Sequence, residues 1–488
     1  MHAHNIAWFA AVIFLVTVVY RKLMGAGWAA GLASLLFLLD SNTYIPAAFV
    51  ANRGYFLALF FSLLCLYEHH QWRSTKSRPA MFLSGLFLAL SLFSEESGAS
   101  TFAFILAYAW VLEPGSFRNR ALTVLPAVVV ITAWQIIYML SGYGLRHVGI
   151  YIDPAQEPYH FVRELIPRDM VLLGSQLTGV PPELLFAASP LWCSIIIAVY
   201  GMFAVAALAV FLPLVFRDKI TAFWLIAMML AAIPEAVLVP LSKNFGFIAI
   251  GAFGLIASFI AGLFTRPSRL PGGKSYRILA WITCVTLILV HVPGAIAKRV
   301  VVVKVGAAVF AWAGRVPPDW PNVENENVIV VNHPCPLETL YAPAYGAYFH
   351  QRLPGTLRVL VPAFTSFDVR RTDDKTLVIQ SQGPNIFSCD DVGPVHIARA
   401  FSACDRLLEA DFKCKKSDRY PLGNLTVEIL EADAAGLPSR VAFHFETSLD
   451  SPGFRWLWFD WRKSSSKPFK VPAVGQSVTL SGPASANR

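Results

Sequence analysis

"MFLSGLFLALSLFSEESGASTFAFILAYAWVL" (Met81–Leu112) holds two apolar runs with a short polar break between them. Glu95 and Glu96 stand side by side in that break. A helix crossing a bilayer takes about 20 apolar residues. Each run on its own is short of that and would need its flanks to complete a crossing. An ionisable residue at membrane depth is expensive and marks a functional position by default. The whole reading of the chain therefore turns on whether these runs lie in a membrane.

Composition places them there. The chain has 488 residues, of which 56% are hydrophobic and 15% charged. A soluble domain carries nearer 25% charged residues. With a mean hydropathy of +0.54 over this length, the expected class is a mainly α, polytopic membrane protein. The net charge of +9 then reads as loop cations rather than nucleic-acid binding. The seven cysteines are scattered, with no CxxC pair and no zinc spacing. His2 and His4 lie too close together and too near the start to argue a metal site. No metal, nucleotide or other cofactor is expected. The start has neither a charged n-region nor a small-residue cleavage site, so no signal peptide is read.

Outward from the break, about ten transmembrane helices are predicted, near 6–20, 25–41, 54–68, 80–94, 98–113, 121–141, 189–215, 219–240, 245–265 and 277–297. One set of loops carries Arg21, Lys22, Arg73, Lys76, Arg78, Arg118, Arg120, Arg217, Lys219, Arg266, Arg269, Lys274 and Arg277. The alternate loops carry only Arg53, Arg146, Arg163, Arg168 and Lys243. By the positive-inside rule the richer set is cytoplasmic. Met1 is then outside, and an upstream span is expected or the start is unusual. The long outer loop 141–188 contains "EPYHFVRELIPRDMVLLGSQL", which reads either as a helix lying in the interface or as a solvated cap on the bundle.

The transmembrane helical bundle is assigned to 1–297, followed by an amphipathic connector, 298–321. Lys298 and Arg299 fall at the predicted outer face, and Val300–Ala313 would change the side of everything after it if it crossed. From 322 to 488 the character changes to a soluble β-rich domain, expected outside the cytoplasm. "NVIVVN", "LRVLVP", "SFDVRR", "TLVIQS", "NLTVEIL", "VAFHFET" and "FRWLWFDW" are strand-like runs, with "TDDK" (372–375) and "ADAAGLPS" (432–439) as hairpin connections.

Three polar clusters fall on the outer face: Asp40, Tyr44, Asn52 and Arg53; Glu95 and Glu96; and Tyr143, Arg146, His147, Tyr151 and Asp153. Arginine binds phosphate with several donors, and a carboxylate orients a hydroxyl or takes its proton. Together they suit a lipid-linked phosphosugar. Structural uses compete. Arg53 snorkels to the interface or pairs with Asp40 or Glu96. Glu95 and Glu96 cap the next helix after Ser94. Glu235, in "AAIPEAVLVP", reads as a structural buried carboxylate, and "NLT" (424–426) fits a glycosylation acceptor that chance also produces.

Residues 5–67 and 82–110, with "NR" at 52–53 and "SEE" at 94–96, resemble the GT-C class of polytopic glycosyltransferases, nearest the relatives of protein O-mannosyltransferases. The likeness covers roughly residues 5–113, with a weaker likeness of topology to about 297. It implies a glycosyltransferase of the bacterial inner membrane that takes a sugar from a polyprenyl-phosphate donor at the outer face. The glutamate of the family's helix break falls on Glu96, with Glu95 where the family carries lysine. Catalysis is thereby assigned to Glu96 and Glu95 and substrate binding to Arg53 and Asn52; Asp40, Tyr44, Arg146 and His147 join the binding set from the polar clusters of the outer face. The family's acidic residue in the first outer loop would precede Met1, so a truncated or inactive relative is also expected. The rival classes are a non-enzymatic membrane protein whose β domain binds a partner, and a transporter, which the lack of inverted repeats disfavours.

Overall fold

The computed structural model describes residues 2–48, 52–144, 151–187, 190–265, 270, 273–301, 304, 326–333, 354–387, 413–463 and 465–483. These fall into two compact units, one of helices and one of strands.

The helical unit runs through α1 (His2–Met24), α2 (Trp28–Leu39), α3 (Ser41–Ala48), α4 (Arg53–Thr75) and α5 (Arg78–Ser94). A 3-10 turn (Glu96–Ser100) leads into α6 (Thr101–Ala107) and a π-helical turn (Tyr108–Leu112). There follow α7 (Phe117–Leu140), α8 (Pro158–Thr178), α9 (Pro190–Val215), α10 (Lys219–Glu235), α11 (Gly246–Phe264) and α12 (Lys274–Leu289). Starts are set by local chemistry. Ser77 accepts from the Ala80 N–H ahead of α5, with Pro79 in the first turn. Asp218 accepts from the Thr221 N–H at 2.9 Å to open α10.

Among the described residues, five helices are long and apolar enough to cross a bilayer: Ala3–Met24, Phe117–Leu140, Leu191–Val215, Gly246–Phe264 and Lys274–Val301. The expected count of about ten is not reached by that measure. Span 25–41 is only the 12 residues of α2, about 18 Å at 1.5 Å per residue against a hydrocarbon core of about 30 Å. The reason is local: Gly25 turns the chain with φ +85°, and Asp40 ends the helix. Span 80–94 is the 17-residue α5, and 98–113 is broken into 3-10, α and π segments. α4 is long enough, at 23 residues, but its last turns carry Glu68, His69, His70, Gln71 and Arg73.

α11 is the centre of this unit, with Ile248, Phe253, Ile256 and Phe259 fully or almost fully buried. Gly251 and Gly254 let it approach Met228 and Trp224 of α10 closely, the small-residue packing that apolar helices use where water supplies no drive. α7 and α12 present Leu122, Val129, Ile136, Ile278, Ile282 and Val285 outward, an apolar surface of the kind that lipid or another helix covers.

The second unit holds β1 (Asn327–His333), β2 (Thr356–Pro362), β3 (Phe367–Arg371), β4 (Thr376–Ser381), β5 (Arg419–Pro421), β6 (Leu425–Ala432), β7 (Pro438–Phe445), β8 (Phe454–Asp460), β9 (Ser465–Pro468) and β10 (Ser477–Leu480). One sheet has the order β2-β1-β8-β9, the other β10-β3-β4-β7-β6-β5. β1 pairs in parallel with both β2 and β8, and its unbroken apolar run suits such a central position. The larger sheet is antiparallel throughout. Ile329, Val361 and Trp456 of the smaller sheet share one core with Val369, Ile379, Val441 and Phe443 of the larger. Each of the seven strand-like runs is a strand, and 372–375 and 432–439 join antiparallel neighbours. β5, β9 and β10, of three and four residues, were not anticipated.

Candidate functional site

Antiparallel helices bring the C-termini of α2, α5, α7 and α10 to the same end of the helical unit as the N-terminus of α4. At this end the polar break of 95–100 is built by close backbone packing. A Cβ on Gly98 would stand 2.7 Å from the Ser91 carbonyl, and one on Gly54 2.9 Å from the Ser94 carbonyl. Only hydrogen at those two positions lets α4 and the 3-10 turn lie this tightly against α5. Below the break, Ser62 of α4 bonds Ser91 Oγ at 2.8 Å and Thr101 Oγ1 at 2.5 Å, and Ser91 Oγ donates to the Ala58 carbonyl at 2.9 Å. This buried hydroxyl chain ties the helices on both sides of the break to α4.

Glu95 is half-buried beside Gly54, with Ser97 on its carboxylate and the Lys243 ammonium acting on it from the turn Ser242–Asn244. Glu96 is exposed and accepts from Tyr138 Oη at 3.2 Å; Tyr143 stacks on Tyr138 at 5.5 Å. Glu235, 3% exposed at the end of α10, accepts from Ser100 Oγ at 3.3 Å and feels the charge of Glu95. Helix capping does not account for the pair: neither Glu95 nor Ser94 caps the turn, and Ser94 Oγ donates to the Leu90 carbonyl instead.

Arg53 opens α4 one residue before Gly54. It has no ion pair or hydrogen-bond partner among the described residues, and its Nε is buried and unsatisfied. The two partners expected for it are taken. Glu96 has Tyr138. Asp40, 2% exposed, accepts from the Thr43 N–H at 3.2 Å and lies in the field of Lys298 and Arg299. Lys298 Nζ donates to Asn42 Oδ1 at 2.9 Å, and the Arg299 guanidinium lies 4.9 Å over the Tyr44 ring while bonding the Leu38 carbonyl. Asp40 and Tyr44 are thus engaged by the end of the last helix. Asn52 precedes α4 without a capping bond. Arg146 and His147 lie outside the described residues. Of Val300–Ala313, only residues 300, 301 and 304 are described.

Further groups join this end that the sequence did not single out for it. Lys243 and Tyr138 were visible only as a loop cation and an apolar-helix tyrosine. Arg168 of α8 donates from Nη1 to the Ala236 and Val237 carbonyls at 2.8 and 3.0 Å, and Glu183 accepts from the Ser242 N–H at 2.6 Å and its Oγ at 2.8 Å. The signal for all of them was position alone: each falls in a loop or near a helix end predicted on the outer face.

Among the described residues, the arrangement offers a guanidinium without a partner, an ammonium, one exposed carboxylate (Glu96), one half-buried (Glu95) and one buried (Glu235). No group of three or more metal-ligating side chains is present among the described residues. No family model, curated protein or solved structure matches the chain.

Proposed function

We propose that the helical unit is a GT-C-like glycosyltransferase that takes a sugar from a polyprenyl-phosphate donor at the outer face of a membrane. The supporting observation is Arg53: a guanidinium without a partner among the described residues, next to a glutamate-bearing break. A guanidinium presents several donors to phosphate oxygens, and Lys243 adds a second positive charge. The acceptor hydroxyl attacks the anomeric carbon of the sugar. The bond from that carbon to the phosphate oxygen breaks, and prenyl phosphate leaves with the electron pair. Arg53 and Lys243 offset the charge that gathers on it. Glu96, the exposed carboxylate, orients the acceptor and takes its proton, with Tyr138 fixing the carboxylate. Glu95, on which Lys243 acts, holds that ammonium beside the break.

A second reading, a non-enzymatic membrane protein, is favoured by how fully the acids are used inside the chain: Glu235 by Ser100, Asp40 by Thr43, Glu96 by Tyr138. Donor binding and turnover on the purified protein separate the two. Under the transferase reading, Glu96→Gln lowers turnover at least about tenfold, or roughly 1.4 kcal/mol. Arg53→Lys weakens donor binding because an ammonium lacks the fork. Neither changes the melting temperature. Wild-type turnover in both variants, or no donor binding by the wild type, overturns the transferase reading.

A further inference from the structure

The strand unit contains a cavity of about 420 Å³. Its walls are β2 at the edge of the smaller sheet and β5, β6 and β7 at one side of the larger. Leu360, Phe387, Leu425, Ile429, Val441 and Phe443 are among its lining residues, and no acidic side chain lines it among the described residues. Alternation along β6 and β7 explains the lining. Leu425, Val427 and Ile429 share one face of β6, and Val441 and Phe443 one face of β7. The volume and apolar lining fall within the range of small-molecule sites.

Among the described residues, one cation lines it. Arg358 of β2 donates from Nη2 to the Leu422 carbonyl at 2.7 Å and to Asn424 Oδ1 at 3.0 Å. Both acceptors sit in the β5–β6 turn, where Gly423 has φ +68°. The turn thereby fixes the guanidinium at the cavity without neutralising it. No ion pair to Arg358 exists among the described residues, and its Nε is buried with no acceptor. A buried N–H that lacks a partner calls for an acceptor, and a guanidinium calls for an anion.

We propose that this cavity binds a single-chain fatty carboxylate, its hydrocarbon chain against the β5–β7 side chains and its head group on Arg358. A monoanion matches the one cation that lines the cavity among the described residues. A phosphate monoester, with about 1.5 to 2 negative charges, would keep unbalanced charge in an apolar pocket, and an alcohol would leave the guanidinium unneutralised. The proposal stands apart from the reading of the helical unit.

Hydrogen exchange on the full chain in lipid nanodiscs tests it, with laurate, dodecanol and dodecyl phosphate as probes. Laurate is expected to slow exchange in β2 and in β5 through β7, saturably and at least about tenfold more tightly than dodecanol. Arg358→Gln is expected to remove the preference for laurate, and Val427→Trp, which fills the cavity, to remove binding. Should either variant fail to fold, the comparison of the three probes on the wild type decides. Equal binding of laurate and dodecanol, tighter binding of dodecyl phosphate, or no change in these strands overturns the proposal.

Discussion

Arg53 and Lys298 bring the same charge to the same end of the helical unit and meet opposite fates. Lys298 reaches Asn42 at 2.9 Å and lies in the field of the buried Asp40, whereas Arg53 has no partner among the described residues. Composition made both visible as cations, but only contacts between residues more than 250 positions apart distinguish a used charge from a spare one. Lys298→Met should therefore destabilise the protein by about 1.5 to 3 kcal/mol, the range for a hydrogen bond from a charged donor. Asp40→Asn in the same background should recover part of it by removing the uncompensated acid. Thermal melts in detergent check this; an unchanged melting temperature in Lys298→Met would show that the cation is idle. Glu95 and Glu96 were readable as unusual because charge is rare between apolar runs. Their partners Lys243 and Tyr138 were not, since neither stands out in its own neighbourhood.

At the scale of elements, the break after α5 was legible from its residues, Ser-Glu-Glu-Ser-Gly, but its geometry was not. Gly98 packs on the Ser91 carbonyl at a distance no Cβ tolerates. Gly98→Ala should cost about 1 to 3 kcal/mol through overpacking and should also weaken donor binding, because Glu95 and Glu96 move with the turn. Gly31→Ala in α2, with nothing within 4 Å of its Cβ position, should leave both unchanged; equal effects of the two substitutions would contradict the packing argument. In the strand unit, the seven longer runs were legible from alternation and turn residues. β5 and β9 were not, because Pro421 and Ser465–Pro468 carry no strand pattern and pair only where a neighbour offers its edge.

The β3–β4 hairpin is held by the buried Arg371, which donates from Nη1 and Nη2 to the two carboxylate oxygens of Asp450 at 3.0 and 2.7 Å and also to Asp374. Those bonds hold the exposed Asp450 carboxyl below the usual carboxylate range. Its contribution to stability is complete above the ordinary carboxylate pKa of about 3.9 and is lost as the pH falls through the depressed value. Asp450→Asn should therefore lower the melting temperature near neutrality and converge on the wild type in acid. A constant gap down the pH scale would assign the effect to shape instead of charge.

For the whole molecule, hydropathy and composition pointed to a helical membrane unit and a strand-rich remainder, and two such units are what the described residues form. The number of crossings was less legible. Apolar runs of similar length become a central helix such as α11, a 12-residue α2 or the segmented stretch 96–112, and the difference lies in what packs against each. We propose that the end of the helical unit where Arg53, Glu95, Glu96 and Lys243 gather receives a polyprenyl-phosphate sugar. Photo-crosslinking the full-length protein with a diazirine-bearing polyprenyl-phosphate sugar, followed by peptide mapping, tests this most directly. Saturable adducts are expected in peptides spanning residues 52–54, 94–97 and 241–244, displaced by unlabelled donor and lost in Arg53→Ala. Adducts that do not saturate, or that fall elsewhere and survive Arg53→Ala, would contradict it.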